Sequence, residues 1–194
     1  MTKRMQDGGR HKVVAAARSL FAAKGFHQTT LSELTERAGV SMGQVYRLFR
    51  NKAEMIVAIV QEDVDARIAS LALIRDAVAA GTLPAHDAFR RAVLEALEGS
   101  QEALVYEILA EGLRNGFVGE LIGEMCERYR AMLGEIIASA CPELSGPKRL
   151  AAEDMLLAIL FGLENRSLSR PRLSAEESAL YAADMITHML GKSG

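Results

Sequence analysis

The stretch LSELTERAGVSMGQVYRLF, residues 31–49, holds two short helical patterns separated by a glycine. Thr30 precedes the first pattern and Glu33 follows three residues later, which is the spacing of a capping box and predicts a helix start. Gly39 then supplies a tight turn that needs a positive φ, and Ser41 can cap a second helix. Two short helices joined by such a turn predict a helix-turn-helix.

The two faces of this segment differ in chemistry. Apolar residues occupy the positions where the helices and the turn would meet, namely Leu34, Ala38, Val40, Val45 and Leu48. The opposite side carries groups suited to DNA, since cations and tyrosine hydroxyls bind phosphates and glutamine can pair with adenine. Gly43 removes a side chain near the helix start, which would let the backbone approach a duplex closely. The predicted DNA-contacting residues are Thr30, Ser41, Met42, Gly43, Gln44, Tyr46, Arg47 and Lys52.

Charge is distributed unevenly along the chain. Residues 1–52 hold ten Lys and Arg against three Asp and Glu, a net charge of +7, and the remaining 13 Lys and Arg against 22 Asp and Glu give -9, which together make the formal net charge of -2. Such an asymmetry favours a polyanion as the partner of the basic end. An ordinary corner between two helices with a solvated basic face is the alternative.

Composition predicts an all-α protein. Only 4 of the 194 residues are proline, hydrophobic residues make up 49%, and strong helix formers are plentiful. Helices are predicted near residues 9–24, 31–38, 41–50, 52–79, 85–97, 101–114, 117–140, 148–167 and 175–190. No apolar window reaches the roughly 18 residues that span a bilayer, and no secretory signal is recognised, so we expect a cytoplasmic protein without a membrane partner.

A longer segment, AAKGFHQTTLSELTERAGVSMGQVYRLFRNKAEM from Ala22 to Met55, resembles the TetR family of bacterial transcriptional regulators. The resemblance rests on the pattern G-V-S-x-G-x-x-Y-x-x-F-x-x-K together with the preceding A-x-K-G-F and T-T. Leu48 stands where the family pattern commonly has histidine, so it is not counted among the DNA ligands.

The resemblance implies an architecture and a function. It implies an N-terminal three-helix helix-turn-helix DNA-binding domain, residues 1–51, followed by a larger C-terminal domain of about six helices, residues 52–194, for ligand binding and dimerisation. A homodimer would bind a palindromic double-stranded DNA operator, usually as a repressor, and a small-molecule effector would release it. An activator of the same family, or a helical protein-interaction module without DNA binding, is the alternative.

Two helices near the C-terminus suit a dimer interface. The run from Met155 to Leu163 is apolar on nearly every side, which requires burial on every side. Paired with the last helix of each subunit it would close a four-helix bundle. The predicted interface residues are Ala158, Gly162, Ala179, Ala183 and Ile186. The alternative is that the fifth to seventh helices of the same subunit bury these faces.

Polar residues set among apolar ones could line an effector pocket in the larger domain. The candidates are Phe89, Tyr106, Glu107, Glu111, Phe117, Met125, Tyr129, Phe161 and Asn165. Core packing combined with a solvated helix face would give the same pattern.

Catalysis is not expected. The four histidines are scattered, and no nucleophile elbow, phosphate-binding glycine loop or CxxC motif is present. We therefore predict no catalytic residue, no metal site and no cofactor. Cys126 and Cys141 fit free thiols in a reducing compartment, and a redox-sensing pair is the alternative.

Overall fold

The computed structural model describes residues 2–98 and 102–191, with side chains from residue 8 onward apart from that of residue 102. Within these ranges the chain consists of α-helices, one short 3-10 turn and no strand. The all-α prediction is confirmed. None of the described helices is both long and apolar enough to cross a membrane.

The described part of the chain forms nine α-helices, and their bounds lie close to the predicted ones, with the largest differences in α1 and α8. α1 begins well before Gly9, since glycine lowers helix propensity by about 1 kcal/mol without forbidding a helix. α8 begins with Pro147 in its first turn, where a missing N–H costs nothing, and gives way to a 3-10 turn, Arg166–Ser169. Gln101, the predicted start of the sixth helix, lies outside the described residues. The helices are α1 (Thr2–Lys24), α2 (Leu31–Ala38), α3 (Met42–Leu48), α4 (Lys52–Ala79), α5 (Ala85–Glu98), α6 (Glu102–Arg114), α7 (Gly116–Ala140), α8 (Gly146–Glu164) and α9 (Ala175–Met189).

The helices group into two compact units. Unit 1 combines the chain up to Asp63 with Ala103–Met125, and unit 2 combines Val64–Glu102 with Cys126 and the residues after it. The functional division into residues 1–51 and 52–194 stays a prediction, because compactness does not test which residues bind DNA or an effector.

The core of unit 1 is built on α1, which packs against α2 and α3. The predicted contact residues lie there, with Leu34, Ala38 and Val45 buried, and Val40 and Leu48 partly buried against the same core. Other buried members come from α1, α4, α6 and α7 and from Phe49, which follows α3: Val13, Ala17, Phe21, Phe49, Met55, Ile59, Leu104, Ile108 and Val118. The two short helices are therefore held by packing, which compensates for their low intrinsic stability.

The core of unit 2 surrounds α5, which packs against both α8 and α9. Ala179, Ala183 and Ile186, predicted to line a dimer interface, lie in this core with 0–1% of their surface exposed. A side chain without exposed surface in one subunit offers no contact to a second, so the interface prediction is corrected for these three. On α8, Ala158 and Gly162 are exposed. The alternative of burial within the same subunit thus holds for the alanine face of α9.

Within unit 1, α6 and α7 approach each other through two glycines. A Cβ atom added to Gly119 would lie 2.6 Å from the carbonyl oxygen of Gly112, and one added to Gly112 would lie 2.7 Å from Cδ1 of Ile122. Both distances are shorter than ordinary carbon contacts. The close approach of the two backbones therefore depends on the absence of a side chain.

Gly119→Ala is expected to lower the free energy of unfolding by about 1–3 kcal/mol, because the added methyl overpacks against backbone that cannot retreat. Gly123→Ala on the same helix is the matched control, since its Cβ would meet nothing within 4 Å. That substitution should stabilise by about 0.4–1 kcal/mol through the unfolded chain. Urea unfolding followed by circular dichroism measures both, and equal stability of the two variants would contradict the close approach.

Candidate nucleic-acid interface

α2 begins at a complete capping box. The side-chain oxygen of Thr30 accepts from the backbone N–H of Glu33 at 3.3 Å, and the Glu33 carboxylate accepts from the backbone N–H of Thr30 at 2.9 Å. The Lys24 ammonium also binds this carboxylate and, as the largest cause, lowers the pKa of Glu33 to about 2. The predicted start of α2 is confirmed, and the exposed hydroxyl of Thr30 stands at a helix N-terminus, where backbone N–H groups attract anions.

The turn into α3 has the geometry that the sequence predicts. Gly39 has φ 63° and ψ 38°, in the left-handed region, and its N–H donates back to α2. Ser41 then caps α3, with its side-chain oxygen accepting from the backbone N–H of Gln44. Because the turn and the cap fix both ends of the connection, the orientation of α3 relative to α2 is well determined.

The outward side of α3 carries most of the predicted DNA ligands. Tyr46 is 58% exposed and Met42 39% exposed, although both are large. Arg47 is exposed, and its Nε donates to the carbonyl of Gly43 at 3.3 Å, which holds the guanidinium along the helix. Nothing lies within 4 Å of the position that a Cβ of Gly43 would occupy. This side of α3 is therefore open to a large partner.

Gln44 is exposed but engaged within the protein. Its Oε1 accepts from the backbone N–H of Ser41 at 2.9 Å and completes the capping box. An amide oxygen has two lone pairs, and the Gln44 amide nitrogen has two hydrogens. The side chain could therefore pair with adenine only by sharing or releasing its bond to Ser41.

Lys52, predicted to contact DNA, binds the protein's own backbone instead. Its Nζ donates to the backbone carbonyls of Phe26 (2.7 Å), Thr29 (2.8 Å) and His27 (3.4 Å), and it lies 4.7 Å from the centre of the Phe26 ring. An ammonium has three hydrogens, so this arrangement uses all of them. Burial lowers the pKa of Lys52, against the opposing effect of the Glu111 carboxylate. The prediction is corrected: Lys52 holds the loop between α1 and α2.

Two carboxylates of α6 contact the same loop, a role that the sequence did not reveal. Glu107 accepts from the backbone N–H of Phe26 at 2.8 Å. Glu111, only 7% exposed, has an oxygen 3.5 Å from Nε2 of His27 and accepts from the side-chain amide of Asn115 at 3.1 Å. Both residues were predicted to line an effector pocket. The structure instead brings them to the segment that precedes the helix-turn-helix.

The remaining pocket candidates are divided between the two units. In unit 1, Tyr106 and Phe117 are partly exposed, and Met125 lines an apolar groove with Ile56, Val57, Val60, Val118, Leu121 and Ile122. Its empty volume of about 170 Å³ includes open solvent, and it has no room for a ligand in this conformation. In unit 2, Phe89 is buried in the core, Phe161 is exposed on α8, and the Asn165 amide nitrogen donates to the carbonyl of Phe161 at 2.7 Å.

Tyr129 marks a polar cluster inside unit 2. It lies beside Arg67 and Glu164, which form an ion pair, and Ser70 donates to Glu95 nearby at 2.8 Å. Burial, reinforced by the Glu164 carboxylate, raises the pKa of Tyr129 to about 12. These groups could orient the polar end of a small molecule. Among the residues that the structure describes, no three His, Cys, Asp or Glu side chains gather as metal ligands would.

The N-terminal segment matches a known family. Residues 13–59 fit the sequence model of the bacterial regulatory proteins, tetR family. The HTH-type transcriptional regulator UidR of Escherichia coli strain K12 is 28% identical over 120 residues, which cover 58% of this chain and 56% of UidR. The match therefore spans little more than half the length of this curated relative.

Solved structures extend the likeness to nearly the whole chain. Salmonella enterica GusR superposes with a TM-score of 0.75 at 26% identity, over 95% of this chain and 96% of GusR. The regulator FadR from Bacillus subtilis, solved in complex with stearoyl-CoA, superposes with a TM-score of 0.70 at 16% identity, over 91% of this chain and 96% of FadR, and shares the fold. The resemblance to the TetR family is thus confirmed: residues 13–59 carry the family's N-terminal segment, and the chain has the fold of a TetR-type transcriptional regulator.

Proposed function

We propose that this regulator is a repressor that binds a palindromic operator as a homodimer in the cytoplasm and is released by a small-molecule effector. The observation that carries the proposal is the outward side of α3, where Arg47, Tyr46 and Met42 stand exposed beside Gly43 on a helix capped by Ser41. A rigid helix that presents a cation, a phenol and an open backbone suits the major groove and its flanking phosphates.

Charge supports DNA as the partner of this side. The net charge of +7 over residues 1–52 would attract a polyanion, although the chain as a whole is slightly acidic. Arg10 lies over the ring of Phe49 at 5.3 Å, so one of these cations also serves packing. A helical protein-interaction module would not need this charge difference. An activator would bind DNA in the same way, and transcription from the bound promoter distinguishes the two.

A palindromic operator requires a two-fold symmetric protein, and unit 2 has an apolar surface suited to that symmetry. On α9 the side opposite the buried alanines exposes Leu180, Tyr181, Met185 and Met189. On α8, Met155 and Phe161 are exposed together with Ala158 and Gly162. We name these eight residues the α8–α9 face and propose that a second copy of the chain covers it, because exposed apolar side chains of this number favour association.

The proposed effector is an amphipathic small molecule. FadR, whose fold this chain shares, binds stearoyl-CoA, which has a polar head and a long apolar chain. The polar cluster around Tyr129 lies beside an otherwise apolar core and could hold a polar group of an amphipathic compound. Release from DNA requires that the compound bind the DNA-incompetent state more tightly, since equal affinity for both states shifts nothing.

The DNA assignment is tested with Arg47→Ala and Lys52→Ala on an operator selected from a random duplex library. Arg47→Ala should weaken binding to every sequence and reduce the slope of log affinity against log salt by about 0.9, because one phosphate contact is lost. Lys52→Ala should keep that slope but lower the free energy of unfolding by about 1–3 kcal/mol, because loop carbonyls lose their donor. Fluorescence anisotropy and urea unfolding measure the two effects. An unchanged salt slope in Arg47→Ala would remove this residue from the interface.

The dimer is tested with Met185→Glu, which places a charge on a side chain that is 72% exposed within one subunit. If the α8–α9 face is covered by a second copy, an uncompensated buried charge should weaken association by about 3–5 kcal/mol per site. Leu113→Glu is the matched control, since Leu113 is 91% exposed on α6 and belongs to unit 1 instead of the α8–α9 face. Sedimentation velocity should show dimers for the wild type and for Leu113→Glu, and monomers for Met185→Glu. A monomeric wild type at micromolar concentration would contradict the proposal.

The effector is sought by a thermal-shift screen of amphipathic compounds, including long-chain acyl-CoAs. A compound that binds the folded protein selectively raises its melting temperature. An effector should also lower operator affinity by about 5–150-fold. Each stabilising compound is therefore titrated into the protein–operator complex, and Tyr129→Phe is compared with the wild type. Compounds that stabilise the protein but leave operator affinity unchanged would refute release by those compounds.

A further inference from the structure

The loop from Gly25 to Thr29, between α1 and α2, is bound from two directions within unit 1. The ammonium of Lys52, the first residue of α4, holds its carbonyl groups. The carboxylates of Glu107 and Glu111, one turn apart on α6, hold its N–H side and its histidine. The loop leads directly into Thr30, the cap of α2, so its position affects how the helix-turn-helix is set.

Glu107 contacts the loop backbone directly beside a glycine. Its Oε2 accepts the Phe26 N–H at 2.8 Å, and a Cβ on the preceding Gly25 would lie 3.3 Å from both of its oxygens. Gly25 also has a φ of 84°, a conformation that L side chains rarely adopt. The absence of a side chain at Gly25 thus leaves room for the Glu107 carboxylate to reach the Phe26 N–H.

Glu111 is nearly buried, and its surroundings balance its charge. His27 lies 3.5 Å away, Asn115 donates to it, and the Lys52 ammonium is close enough for the two charges to interact. Burying a carboxylate is unfavourable unless its partners satisfy it. An apolar side chain would fill this position on α6 without that cost. The presence of a carboxylate here is explained by its contacts with His27 of the loop and by its interaction with the Lys52 ammonium.

We propose that Glu107 and Glu111 are positioning residues for DNA binding, which hold the loop before α2 in the place that the helix-turn-helix requires. Neither residue touches DNA. Glu107 holds the Phe26 N–H, Glu111 holds His27, and Lys52 holds the carbonyls of the same loop, so the place of the loop before α2 depends on all three side chains. The inference rests on the proposed function, since it assigns a source of control to the same DNA-binding segment.

The test compares Glu107→Ala with Glu107→Gln on the selected operator. The alanine variant loses the acceptor of the Phe26 N–H, and its affinity should fall by about 5–150-fold, the usual range of coupling between sites. The glutamine variant keeps an acceptor oxygen and should stay close to the wild type. Glu124→Ala is the charge-matched control, because Glu124 is exposed on α7 in the same unit. The salt slope should be the same in all four proteins, since no phosphate contact changes.

Hydrogen exchange of the Phe26 amide supplies a second measurement on the wild type itself. Operator binding should slow this exchange, because the bound state requires the Phe26–Glu107 bond to be closed, and Glu107→Ala should accelerate it. If Glu107→Ala is folded by circular dichroism and binds like the wild type, the inference is overturned. If that variant does not fold, an unchanged Phe26 exchange rate in wild type with and without operator overturns it. A wild type that binds no duplex overturns the proposed function together with this inference, whereas a binding wild type with an equally active alanine variant overturns the inference alone.

Discussion

The ammonium of Lys52, bound to backbone carbonyls of the loop between α1 and α2, is the interaction on which the N-terminal unit depends. That loop is irregular, and its carbonyls have no helical partner. Without the ammonium they would need water in a partly buried place, and the start of α4 would lose its attachment to the loop that leads into α2. One side chain thereby joins the long helix to the segment that presents α3. The cost is visible in the lowered pKa of Lys52, which burial produces and the Glu111 carboxylate only partly offsets.

The carboxylates of Glu107 and Glu111 on α6 add two negative charges beside the Lys52 ammonium. Lys52, His27, Glu107 and Glu111 surround a short stretch of backbone with two acidic side chains and two basic or titratable ones. Such a polar cluster is less forgiving than an apolar contact, because a buried group left without its partner is costly. It also has a definite geometry, whereas apolar contacts tolerate sliding. A DNA-reading helix needs such definition, since misplacement by a fraction of a base step loses its contacts.

Local sequence signals predicted the part of the fold that is decided locally. The capping boxes at Thr30 and Ser41, the left-handed turn at Gly39 and the buried set around Leu34 and Val45 all depend on residues a few positions apart. The misjudged residues depend on long-range partners. Ala179 and Ala183 form a plausible face for a second subunit, and only the position of α5 shows that it is already covered. Glu107 bonds to Phe26 across 81 residues, and no periodicity within α6 indicates that. The position of Lys52 could have been predicted in part. Side chains in the first turn of a helix lean toward its N-terminus, and for Lys52 that direction leads to the loop between α1 and α2.

The bond between Gln44 and Ser41 changes what a wrong base would cost. Most base-reading side chains lose twice at a mismatch, because they forfeit a bond and are left buried with an unsatisfied polar atom. Gln44 has an internal partner to which its oxygen can return, the backbone N–H of Ser41. In the proposed complex, a mismatched base opposite Gln44 would therefore cost the hydrogen bond to the base but would leave no unsatisfied oxygen. If Gln44 contacts a base as proposed, that base pair would be read with graded preference, and related operators would be bound with a range of occupancies.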